Sequence, residues 1–162
     1  HALTNINGLR NLKTVGFDFI LRNSPLITTT APIEGIDIGA SIDIGYNDSL
    51  VDLTGLSRER IGGYLTIENL PSLENIDVFS SLKEINGSLI FRNLPALKNI
   101  NGFGNLVQIG NFTSISEIPG IRDMSGFRSL QAILGFIGRK AVDTPVERPS
   151  GLTGVAKSAT AI

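Results

Sequence analysis

Cysteine is absent from the 162-residue chain, so neither a disulfide framework nor a thiolate metal site can be built. Its one histidine is His1, at the chain end, which supports neither metal ligation nor acid–base work, and any nucleophile triad lacks its base. No catalytic residue, cofactor or metal site is therefore assigned. An excess of positive charge is also missing. The net charge is −1 and the isoelectric point near 5.8, which leaves no basic surface to neutralise phosphates. Nucleic acid and anionic membranes are poor partners for such a chain. Long apolar runs are missing as well. The longest, Ala132 to Ile137, is broken by Gly135 and is far too short to span a bilayer, so no direct membrane insertion is expected.

What the chain has is repetition. Ala2 to Gly16 reads ALTNINGLRNLKTVG and Ala96 to Gly110 reads ALKNINGFGNLVQIG, and the two align with each other without a gap. Successive units, 64–87, 88–110 and 111–135, keep their apolar positions in register. Leu73, Leu97 and Ile121 form one column at a spacing of 24, and Ile76, Ile100 and Met124 another. Phe79, Phe103 and Phe127, then Leu82, Leu106 and Leu130, then Ile85, Ile109 and Ile133, follow the same spacing. An earlier unit, 41–63, keeps the pattern through Ile42, Ile44, Leu50, Leu53, Leu56 and Ile61. A fixed period of this length marks a repeat architecture. The chain starts without Met and enters the unit midway, and it is read as a piece of a longer protein.

Each unit opens with a short alternating run: FDFILRN, SIDIGYN, YLTIEN, SLIFRN and NFTSIS. Such alternation predicts half-buried strands with Phe19, Leu21, Ile42, Ile44, Leu65, Ile67, Leu89 and Phe91 inward. After each strand the apolar spacing becomes three, and Pro71, Pro95 and Pro119 with the Asn-Gly pairs exclude a long helix. Extended and 3₁₀-like corners are expected there, with a second short strand near 106–110. LITTTAPIEGIDIG is irregular, and Pro32 with Gly35 predicts a distorted corner. Asn23, Asn47, Asn69 and Asn93 are expected to form one column at the strand ends, each bonding backbone where the chain bends.

The pattern I-x-G-x-L-x-I-x-N-x-P-x-L-x-x-I-x-x-F-x-x-L-x-x-I-x-G, carried by residues 85–110 with weaker copies in 38–87 and 110–135, resembles the receptor L-domain family of the leucine-rich-repeat superfamily. The resemblance covers about Ala2 to Ile137. It implies a mainly β fold with little helix, a right-handed β-solenoid of about five coils of 23–25 residues. It also implies non-catalytic recognition at the cell surface, or wall organisation. The lack of Cys favours a microbial surface member over an animal receptor lobe. Residues 1–137 are taken as the solenoid and 138–162, with two Pro and no periodicity, as a linker or disordered tail.

The outward strand positions are where a binding surface would be written. They are expected at Asp18, Ile20 and Arg22; Ser41, Asp43 and Gly45; Tyr64, Thr66 and Glu68; Ser88, Ile90 and Arg92; and Asn111, Thr113 and Ile115. Glu68 should sit beside Arg92. Arg22, Asp43, Tyr46, Tyr64, Glu68 and Arg92 are the candidate ligand-binding residues, for a protein or glycan, with the tyrosines as anchors. An ordinary cross-strand ion pair on a solvated face is the competing reading for these charges. A spacer or wall-organising stalk is the alternative for the whole chain. A polysaccharide-active β-helix enzyme would require Asp18, Asp37 and Asp43 to converge. Asn47-Asp48-Ser49, Asn86-Gly87-Ser88 and Asn111-Phe112-Thr113 match the N-glycosylation acceptor pattern.

Overall fold

A computed structural model describes residues 2–135, together with the backbone of residues 137–140. Among the described residues the strands in chain order are β1 (Thr14–Val15), β2 (Phe19–Arg22), β3 (Asp37–Ile38), β4 (Ile42–Gly45), β5 (Arg60–Ile61) and β6 (Leu65–Glu68). They continue as β7 (Glu84–Ile85), β8 (Leu89–Arg92), β9 (Gln108–Ile109), β10 (Thr113–Ser116), β11 (Ala132–Ile133) and β12 (Ile137–Lys140). The fold is mainly strand, its sheets are parallel, and the helix present is short 3₁₀ helix of three to five residues.

Parallel pairing follows from the repeat itself. Each alternating run recurs in the same direction after a connection long enough to return the chain to the same edge. The four-residue strands form one sheet in the order β12-β10-β8-β6-β4-β2. Facing partners are 23 residues apart from β2 to β6, as in Phe19 with Ile42, and 24 apart beyond, as in Leu65 with Leu89. The two-residue strands β5, β7, β9 and β11 form a second ladder, and β1 with β3 a third.

Between the ladders lies one apolar interior. All five columns spaced by 24 are buried, except that Met124 is partly buried against the rest. Phe103 stacks on Phe79 and Phe127, with ring centroids 5.7 and 5.4 Å apart. Burying each such side chain contributes about 1.5–3 kcal/mol. The Gly in the 3₁₀ segments is needed for close approach. A Cβ on Gly102 would stand 2.0 Å from the carbonyl oxygen of Ile76.

The irregular corner at Pro32 is a real break. Ala31–Ile33 is 3₁₀, Gly35 has φ +76°, and among the described residues β5 pairs with β7 whereas β3 pairs with β1. Arg58 stands 24 residues before Leu82, where later units bury Leu, and it is half-buried. Burial lowers the pKa of its guanidinium, opposed by the charge of Asp37.

Three expectations need correction. In β10 it is Thr113 and Ile115 that face inward and are buried, in register with Leu89 and Phe91, so Phe112, Ser114 and Ser116 take the outward columns. The segment misleads because it puts Phe112 outward and Thr113 inward, so polarity loses its phase with the pleat. Asn47 is not in the corner column either. That column is Asn23, Tyr46, Asn69, Asn93 and Glu117, all with φ between +50° and +59°. The early spacing of 23 rather than 24 shifts Asn47 one residue beyond it, fully buried. Last, β12 extends the ladder three residues past the expected boundary at 137, because Ile137 and its neighbours pair with β10. The remainder of the expected tail, 141–162, lies outside the described residues.

Candidate functional site

The outward face of the large sheet gathers four of the six candidate residues into one cluster. Arg22, at the end of β2, donates from Nη1 to Asp43 Oδ1 at 2.5 Å and from Nη2 to Glu68 Oε1. Its guanidinium also lies over the Tyr46 ring, 5.0 Å from the centroid. The contact to Glu68 spans β4, and Gly45 makes it possible. Gly45 faces Arg22 on one side and Glu68 on the other in the register, and a Cβ there would stand 3.1 Å from Glu68 Cγ and 3.3 Å from Arg22 Cζ. A glycine inside a strand marks this kind of close approach. The expected Glu68–Arg92 pair does not form. The two residues are register partners, but Arg92 is exposed and makes no ion pair among the described residues, because Glu68 turns to Arg22.

Electrostatics hold the cluster. Burial alone would lower the Arg22 pKa, but the carboxylates of Glu68 and Asp43 outweigh it and raise it above the ordinary arginine value. Both carboxylates are largely covered, 14% exposed for Asp43 and 13% for Glu68. The pairs therefore differ from Lys98–Glu74, where both side chains are more than half exposed and little net stabilisation is expected. Tyr64, half-buried in the column before β6, has its hydroxyl pKa raised by burial first and then by the charges of Asp18 and Asp43. Arg22 and a hydrogen bond with Ser41 oppose that shift. Asp18 is fixed by accepting from the Ser41 backbone N–H at 2.9 Å. Tyr64 thus joins the rim of the cluster, while Arg92 lies beyond Glu68.

Tyr46 is the informative member. It is 46% exposed and occupies the left-handed region at φ +57°. Three equivalent corners use Asn, which tolerates that conformation, and Asn93 donates to Asn69 at 2.7 Å in a side-chain ladder. A bulky aromatic there is an outlier, and strain of this kind collects at functional positions. What sequence reasoning missed was Gly45 as the passage. Its signal was a Gly in a column otherwise filled by Arg22, Glu68 and Arg92.

The remaining candidates separate. Asp37 stands in β3, which pairs with β1 and not with the sheet that carries Asp18's neighbour β2 and Asp43. Among the described residues no three His, Cys, Asp or Glu side chains are grouped to hold a metal ion. No helix there is long and apolar enough to cross a membrane. Of the three acceptor motifs, Asn86 and Asn111 are exposed, whereas Asn47 is buried. Its Oδ1 accepts from Ser24 N at 2.8 Å and its Nδ2 donates to Leu21 O at 2.8 Å. Asn47 is thus a structural strut. Compared with known proteins, the chain matches no family model, no curated protein and no solved structure.

Proposed function

We propose that the chain is a right-handed β-solenoid of leucine-rich-repeat and receptor L-domain type, with about five coils. On this reading it is a non-catalytic recognition or adhesion module, extracellular or at the cell surface, that binds a protein or glycan through the outward face of its strand ladder. The parallel ladders at a spacing of 23–24 residues support the architecture. The observation that carries the function is Tyr46, exposed and left-handed, held against an arginine that two carboxylates fix through the opening at Gly45. Repeat proteins read partners with such exposed strand faces, and Tyr and Arg dominate binding energy where they do. Screens against surface proteins and surface glycans should return a ligand whose binding is lost on Tyr46→Asn and weakened on Tyr64→Ala. A ligand that tolerates every change on the outward face would refute the assignment.

A spacer reading has its own support. Lys83–Glu59, Lys98–Glu74, Arg60–Glu84 and Asn93–Asn69 each join residues 24 apart in neighbouring units, so side chains staple the repeat throughout. On that reading the Arg22 cluster is one more staple. Its variants would then change stability and leave every binding measurement alone.

A further inference from the structure

The cluster on the sheet face is not saturated. Asp43 and Glu68 each give one oxygen to Arg22, and Asp43 Oδ2 and Glu68 Oε2 take no hydrogen bond among the described residues. Arg22 is already neutralised by two carboxylates, and Asp18 adds a third negative charge close enough to act on Tyr64. Three carboxylates against Arg22 and the neighbouring Arg92 leave the patch one charge negative, which disfavours anions. Arg22 also demonstrates what the Tyr46 ring accepts: a planar cation within the distance at which the ring quadrupole attracts one. With nearly half its surface exposed, the ring retains room for a second group.

The surroundings indicate what carries that group. Ile20, beside Asp43 in the register, is 57% exposed. Exposed aliphatic surface beside a fixed Arg and Tyr suits a protein partner.

Resting on the reading of this face as a recognition surface, we propose that its partner is a protein presenting a lysine or arginine side chain, which seats on Tyr46 and bonds the free oxygens of Asp43 and Glu68. Complementary charge on a partner would also steer its approach. Arg92, beyond Glu68, sets the positive limit of the patch and fixes which way the partner's charge must lie.

The test is a titration followed by NMR with peptides of about a dozen residues in which Lys, Arg, norleucine or Glu alternates with Ser, and with N-acetylglucosamine and glucosamine oligomers as further probes. The Lys and Arg peptides are expected to shift the Tyr46 ring and Glu68 side-chain resonances. Their affinity should fall by about ten-fold or more on Tyr46→Asn and on Glu68→Gln, and fall steeply as salt rises. Glu74→Gln, on a solvated pair elsewhere, should change nothing. Shifts spread evenly over Glu59, Glu74 and Glu84, or affinity indifferent to Tyr46→Asn, would overturn the proposal. Tyr46-dependent binding of a sugar oligomer, with none for the cationic peptides, would overturn the protein partner while leaving the recognition face in place. Indifference of every probe and every screened ligand to Tyr46→Asn would overturn both.

Discussion

At the scale of single residues the balance at Tyr46 sets stability against use. A left-handed conformation costs a bulky side chain about 1–2 kcal/mol, whereas Asn visits it routinely. The contact with Arg22 offsets part of that, about 0.5–1 kcal/mol for a partly exposed cation on a ring. Tyr46→Asn should therefore leave unfolding stability within about 1 kcal/mol of the parent in urea titrations, while Glu117→Asn, at a corner with no aromatic contact, should gain about 1 kcal/mol. A loss above about 2 kcal/mol for Tyr46→Asn would make Tyr46 a structural residue and remove the main support for the site. Tyr46 could be picked from the sequence as an exposed anchor, but not its backbone. The recurring amide points to Asn47 for the corner column, and only the spacing of 23 puts Tyr46 there instead. Side-chain chemistry was visible in the residues. Which residue stood at the bend was not.

At the scale of the strand, the pleat decides which side chains must be satisfied. β10 brings Thr113 into the inward column in register with Leu89, and its Oγ1 is buried with no hydrogen-bond partner among the described residues. A hydroxyl desolvated without a partner costs about 1–3 kcal/mol. Thr113→Val keeps the branched shape and removes the oxygen, so the variant should be more stable by about 1 kcal/mol in the same titration. A loss of stability would mean that the hydroxyl has a partner after all, or that the register of β10 differs. Strands β2, β4, β6 and β8 were readable because Phe19, Leu21, Ile42, Ile44, Leu65, Ile67, Leu89 and Phe91 keep apolar residues strictly alternate, and all eight are buried. β10 was not, since Phe112 and Ile115 lie three apart and alternation has no phase to offer there. The 3₁₀ segment at Asn101–Phe103 and the short β9 followed correctly from the switch to a spacing of three.

At the scale of the molecule, the repeat makes neighbours of residues far apart in sequence, and the site exists only through that. The five columns at a spacing of 24 foretold a single interior with Phe103 between Phe79 and Phe127. They could not foretell the break between β3 and β5, where Arg58 replaces an aliphatic residue, nor the reach of Arg22 to Glu68, 46 residues away. Sequence registers name facing partners, and by that rule Glu68 belonged to Arg92. A missing side chain at Gly45 lets a long one pass over a whole strand, which no pairwise register reports.

The Arg22 cluster depends on that crossing, and a double-mutant cycle on Arg22→Ala and Glu68→Ala measures it directly. The predicted coupling is favourable by about 1 kcal/mol, it vanishes in a Gly45→Ala background, and the cycle on Glu68→Ala with Arg92→Ala gives none. Coupling between Glu68 and Arg92 with none between Arg22 and Glu68 would contradict it.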